Sequence, residues 1–135
     1  MNQHNQSTTN STIFIIMNLI LQKLEAMNNI RNRVQLIGNL GKDVELKKTE
    51  AGSAFARASL ATKDIYKNNR GERVVDVQWH QIVGWGKVAE NMQVFLKKGR
   101  EVAITGKLRH RSYQDTEGKT KNISEIVVNE FLLLS

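Results

Sequence analysis

The chain contains no cysteine and no proline. The first absence removes disulfide frameworks and thiolate metal sites, and it fits a reducing compartment. The second leaves nine glycines as the main residues able to set special turns. Acid is also in short supply: 13 Asp and Glu face 20 Lys and Arg, a net charge of +7 over 135 residues. Long apolar runs are missing. The segment "IFIIMNLIL", Ile13 to Leu21, is interrupted by Asn18 and is too short to span a bilayer. With no Lys or Arg ahead of it, it lacks the flank of a signal peptide. These absences describe a cytoplasmic protein whose natural partner is an acidic polymer. Net charge does not decide the matter alone, because many small basic proteins bind nothing specific.

Catalytic groups are equally scarce. His4, His80 and His110 are scattered, without a metal-ligand spacing. Without Cys, and with no Ser in a nucleophile setting, covalent catalysis has no candidate. "GWGK", Gly84 to Lys87, lacks the four spacer residues and the terminal Ser or Thr of a phosphate loop. The carboxylates lie mostly beside Lys or Arg and read as solvated surface. The expectation is a protein that is not an enzyme, with no cofactor and no metal.

What is present is organised in two parts. Residues 1–27 read as an N-terminal extension. "MNQHNQSTTNST" is polar and low in complexity, hence disordered. Ile13, Ile16, Met17, Ile20, Leu21 and Leu24 then recur at helical spacing behind Thr12 as a cap. That short apolar helix either packs on the domain or precedes the true start, since Met17 and Met27 are each possible starts; a membrane-surface anchor would want basic residues that its polar face lacks. Residues 28–135 change period. "RNRVQLIGNLGKDVEL" reads as a strand with a glycine turn and an extended continuation. "SAFARASLATK" is a second strand, "DIYKNNRGER" a basic hairpin tip, and "VVDVQWHQIVGW" a long third strand. In "KVAENMQVFLKKG" the residues Val88, Met92, Phe95 and Leu96 form a helical stripe of about three turns, with Lys97 and Lys98 at its C-terminus and Gly99 as its cap. "EVAITGKLRHRSY" and "NISEIVVNEFLLL" complete five strands. Three strands, a helix and two strands suit an all-β fold with one helix: a five-stranded Greek-key OB-fold barrel, the helix between strands 3 and 4. An antiparallel α+β sandwich fits the same order.

Both tryptophans lie in one stretch, "VQWHQIVGWGK". Trp79 and Trp85 share strand parity with Val75, Val77, Gln81 and Val83, and stand about 20 Å apart along the strand. Taken alone, burial and function are equally good readings of them. Phe55 and Phe95 fall on expected core faces and Phe131 on a late strand. Tyr66 lies in a basic loop, and Tyr113 follows "KLRHR" at the parity of Lys107, Arg109 and Arg111. Rings interleaved with cations suit single-stranded nucleic acid, whose exposed bases offer π-faces that a duplex hides.

The segments "NRVQLIGNLGKDVEL", "FARASLAT", "VQWHQIVGWGKVAE", "FLKKGREVAITGKLRHRSYQDTEG" and "EIVVNEF" closely resemble the bacterial single-stranded DNA-binding protein family, in unbroken order from about Asn29 to Phe131. The resemblance implies an OB-fold protomer of a homotetramer that binds single-stranded DNA largely independently of sequence in replication, recombination and repair. By motif, the base-stacking residues would be Tyr66, Trp79, Trp85 and Tyr113, and the phosphate contacts Arg33, Lys87, Lys98, Arg109 and Arg111. His80 falls near the family's subunit interface; a strand histidine satisfied by its neighbours is the plain alternative. Two departures stand out: Val44 where the family usually has proline, and Gln81 where it often has arginine. The family's acidic C-terminal tail, which docks partner enzymes, has no counterpart here, and the expectation is DNA binding without that docking. A dimeric accessory replication protein preferring RNA, and a protein-docking OB module, are the alternative functions.

Overall fold

The computed structural model describes residues 2–135, with side chains from Ser7 onward. The chain separates into two compact units, residues 1–33 and 34–135.

The first unit is one helix, α1 (Asn2–Arg31). Disorder followed by a short apolar helix was the sequence expectation; the helix instead runs through the polar segment. No Gly or Pro occurs before Gly38 to stop it. Its hydroxyls also turn inward. Ser11 Oγ and Thr12 Oγ1 donate to the carbonyls of Ser7 and Thr8, each at 3.0 Å, so Thr12 lies inside the helix and does not cap it. The apolar residues from Ile13 to Leu24 are exposed, Phe14 to 65%. Among the described residues no helix is long and apolar enough to cross a membrane.

The second unit is a closed barrel. Its strands are β1 (Val34–Leu40), β2 (Glu45–Lys48), β3 (Ala54–Lys67), β4 (Arg73–Trp85), β5 (Glu101–Gln114) and β6 (Thr120–Leu133), with α2 (Gly86–Phe95) between β4 and β5. The order is β1-β5-β6-β4-β3-β2, and β1 also pairs with β3 through Asn39↔Ala61 and Leu40↔Leu60. That last pairing closes the circle. β1 and β2 are two pieces of the expected first strand, both lying on β3 and separated by the bend that begins at Gly41, so the barrel has five staves as the sequence implied. β4 and β6 pair in parallel; the other pairings are antiparallel. Closure requires a close approach at Gly38, where a Cβ would stand 2.2 Å from the Ala61 carbonyl oxygen.

Strand period assigns the two faces. Ala54, Ala56, Ala58 and Leu60 of β3 point inward with Leu40, Ile82, Val102, Ile104, Ile126 and Val128, and Ala89, Met92 and Leu96 cover them. Each fully buried large aliphatic side chain contributes about 1.5–3 kcal/mol. Because the alanines take the inner parity, Phe55 faces outward, which corrects its expected core placement. Phe95 is also corrected, being 45% exposed. The buried seam of α2 is Ala89 and Met92, continued by Leu96 just past its end, and at about 100° per residue Phe95 sits on its flank. Gly99 does not cap the helix. The helix ends at Phe95, and Gly99 (φ 83) occupies the turn closed by Arg100 N–H and Lys97 O at 3.1 Å. Lys97 does serve the helix end, its Nζ donating to the Gln93 carbonyl at 3.0 Å.

Candidate nucleic-acid interface

The outer face of β3, β4, β6 and β5 carries a continuous set of rings and cations. Its register fixes the rows. Phe55 pairs with Trp85, and Arg57 with Val83. Ser59, Gln81, Glu125 and Arg109 follow one another across the four strands. Paired residues point to the same side, so Trp79, Trp85, Arg109, Arg111 and Tyr113 share this face. Tyr66 does not: it pairs with Val74 and has the parity of Leu60 and Thr62, opposite Trp79.

The two tryptophans are held differently. Trp85, 40% exposed, packs on Phe55 with ring centroids 4.7 Å apart and planes at 43°. The Arg57 guanidinium lies 5.2 Å from the Phe55 centroid, so a cation, a phenyl and an indole form one cluster. Trp79, 63% exposed, lies against the backbone where β1 bends. A Cβ on Gly41 would come within 2.6 Å of Trp79 Cζ3, and Gly41 is fixed by its N–H to the Ser59 carbonyl at 3.0 Å. An open groove between these strands is lined by Arg57, Gln81, Arg111, Tyr113 and Ile123.

The basic residues divide by what they touch. Arg33 is exposed and closes the helical unit, one residue ahead of β1. Lys87 is the second residue of α2, exposed, with Glu90 at 3.8 Å, a contact worth little in water. Lys98 is exposed, and its backbone N–H donates to Asp43 Oδ1 at 2.8 Å, tying the segment after α2 to the β1–β2 bend. Arg109 and Arg111 both meet Glu125, a carboxylate that solvent does not reach. Burial alone would push the Glu125 carboxyl up, but the hydrogen bonds and charges of the two arginines outweigh it and hold it below the usual carboxylate range. His80 is half-buried, with Nε2 at 2.8 Å from Thr62 Oγ1 on the neighbouring strand. Among the described residues no group of three or more His, Asp or Glu side chains could hold a metal.

Sequence reasoning passed over Phe55, Arg57, Gly41 and Glu125. The first two carried a signal, since Arg57, Ser59 and Lys63 share the parity of Phe55 and mark it as the wet face. Glu125 carried none, because its partners lie 14 and 16 residues away and only the β5–β6 register brings them together.

The chain belongs to the single-strand binding protein family, whose model matches residues 31–134. It is 40% identical over 104 residues to single-stranded DNA-binding protein 1 of Chlorobaculum tepidum, covering 76% of this chain and 64% of that protein. It is 40% identical over 103 residues to the single-stranded DNA-binding protein of Xanthomonas campestris, covering 76% and 60%. The chain thus spans less than two thirds of the length of these curated relatives. Among solved structures, it resembles a Plasmodium falciparum SSB in complex with ssDNA, with a TM-score of 0.71 and 28% identity over 77% of this chain and 95% of that one. An OB-type barrel is the fold these comparisons share with the topology above.

Proposed function

We propose that this chain binds single-stranded DNA, largely without regard to sequence, and protects it during replication, recombination and repair. The observation that carries the reading is the outer face of β3, β4, β6 and β5, where Trp79, Trp85 and Tyr113 stand among Arg57, Lys107, Arg109 and Arg111. Bases stack on the rings and phosphates follow the cations. No step of this needs catalysis, a cofactor or a metal. Residues 28–135 form the binding domain, working in the cytoplasm on nucleoid DNA; Tyr66 and the exposed Lys87 and Lys98 extend the path of the strand beyond the central groove, and Arg33 is a further phosphate contact by family resemblance.

The protomer also has a surface suited to a second copy of itself. β1 is paired with β5 along Val34–Asn39 but with β3 only at Asn39 and Leu40, which leaves much of its other edge open. Beside that edge Ile37, Ala103 and Leu132 form one register row on the outside, with Ile37 54% and Leu132 65% exposed. A homo-oligomer, a tetramer by family, covers such a row, and His80 lies near a further subunit contact.

The test is a titration of intrinsic tryptophan fluorescence with oligo(dT), the matching RNA and a duplex, each over a range of salt. Quenching by the single strand that weakens steeply with salt is the expected outcome. Preference for RNA would turn the reading toward an accessory RNA-binding role. Indifference to all three polymers would leave a protein-docking module.

A further inference from the structure

Arg109 and Arg111 stand two residues apart on β5 and converge on one oxygen of a carboxylate with no exposed side-chain surface. Glu125 Oε1 accepts from Arg109 Nε at 3.0 Å and from Arg109 Nη2, and from Arg111 Nε at 3.0 Å. The shares are unequal. Arg109 commits Nε and one hydrogen of Nη2, so its terminal fork shares a nitrogen with Glu125, whereas Arg111 commits Nε alone and keeps both terminal nitrogens for another acceptor. That end-on fork is the geometry that meets a phosphate with two parallel bonds. Arg111 also lies 5.8 Å from the centroid of Tyr113, so its guanidinium borders the ring that would carry a base.

Charge points the same way. Two cations around one anion leave a single net positive charge. Turning the side edge of Arg109 onto an outside phosphate would strip the buried carboxylate of two of its three bonds, which is costly in a dry site, and its end fork offers only a nitrogen pair already drawn to Glu125 through Nη2. Arg111 can take a phosphate through its terminal nitrogens while its Nε bond stays in place. We infer that Glu125 is a positioning residue that retains Arg109 as its counterion and aims Arg111 outward, so that the arginine pair offers one phosphate site per protomer and not two. The inference rests on the proposed binding of single-stranded DNA.

The experiment is the salt dependence of oligo(dT) affinity in the full chain, read from tryptophan quenching. Each phosphate contact on a single strand contributes about 0.7 to the slope of log K against log salt. Arg111→Gln should lower the slope by about 0.7 per protomer, and Arg109→Gln by less than half as much. Glu125→Gln should raise the slope by about 0.7, because Arg109 is released to become a second contact. The double change Glu125→Gln with Arg109→Gln should bring the slope back to the wild-type value, which a purely structural role for Glu125 would not do. Equal drops for the two single arginine variants overturn the inference, as does a folded Glu125→Gln protein whose slope has not risen. If Glu125→Gln fails to fold, the comparison of the two arginine variants decides the matter. A wild-type chain that does not bind oligo(dT) sinks the binding reading itself and is told apart by that titration alone.

Discussion

Replacing Trp79 with alanine separates a platform from a core residue. The ring is 63% exposed, so little more than a third of its surface is covered. A large aromatic buries at most about 250 Å², which places the covered part at roughly 90 Å² and its worth at about 2 kcal/mol at 25 cal/mol per Å². That is a ceiling, since alanine keeps some of the contact and the unfolded chain already hides some of the surface. A stability loss of about 1 kcal/mol is therefore expected, against about 3–5 kcal/mol for an interior aromatic. The binding side is larger in proportion: one lost stacking contact costs about 1–3 kcal/mol, a roughly 5- to 150-fold weaker complex. Thermal melts give the first quantity. Oligo(dT) titration at fixed salt, with Trp85 left as the reporter, gives the second. Leu60→Ala is the control, because Leu60 has no exposed surface and should lose about 2–5 kcal/mol of stability. A Trp79→Ala protein that binds within twofold of wild type, or melts as early as the Leu60 variant, would refute the platform.

Three further outcomes follow from particular contacts. Gly41→Ala places a methyl where Trp79 Cζ3 lies at 2.6 Å, so the fold should survive while the indole shifts, seen as a changed emission maximum and a several-fold weaker complex. An unchanged spectrum would disconnect Gly41 from the ring. Ile37→Glu puts a charge into the exposed row beside the open β1 edge, and sedimentation at micromolar concentration should show smaller species than wild type; an unaltered assembly would remove that row from the interface. Finally, the folded-state pKa of Glu125 is lowered, so its share of stability is present above the ordinary carboxylate value and lost as pH falls through the lower folded one. Melts from neutral pH into acid should therefore decline more steeply for wild type than for Glu125→Gln, and parallel curves would contradict the assignment.

The barrel was legible because strand period is a local property. Alternation in "SAFARASLATK" sets which residues of β3 face inward, and the switch to helical spacing after Trp85 marks α2. The errors came from properties that are not local. Phe55 was placed by hydrophobicity, although the alanine parity around it had already claimed the interior. Phe95 was placed by a stripe counted from Val88, whereas the helix starts at Gly86 and its seam runs through Ala89. At Val44, where the family usually has proline, the side chain packs, half-buried, against the core.

Parity put both tryptophans on one face, yet it said nothing of what stands behind them, and that decides how each can act. Trp85 leans on Phe55, a side chain that loses freedom when the cluster with Arg57 forms. Trp79 leans on Gly41, which has no side chain to yield and is anchored to Ser59. Phe55 and Ser59 are both on β3, four residues apart and on the same face, so one strand supplies the backing for both platforms. Under the proposed stacking, a base arriving at either ring would meet a surface already fixed in the free protein, and less ordering would be left to oppose binding. The six-residue spacing on β4 would then set the distance between the two stacked bases of the proposed complex, and β3, which backs both rings, would keep that distance constant.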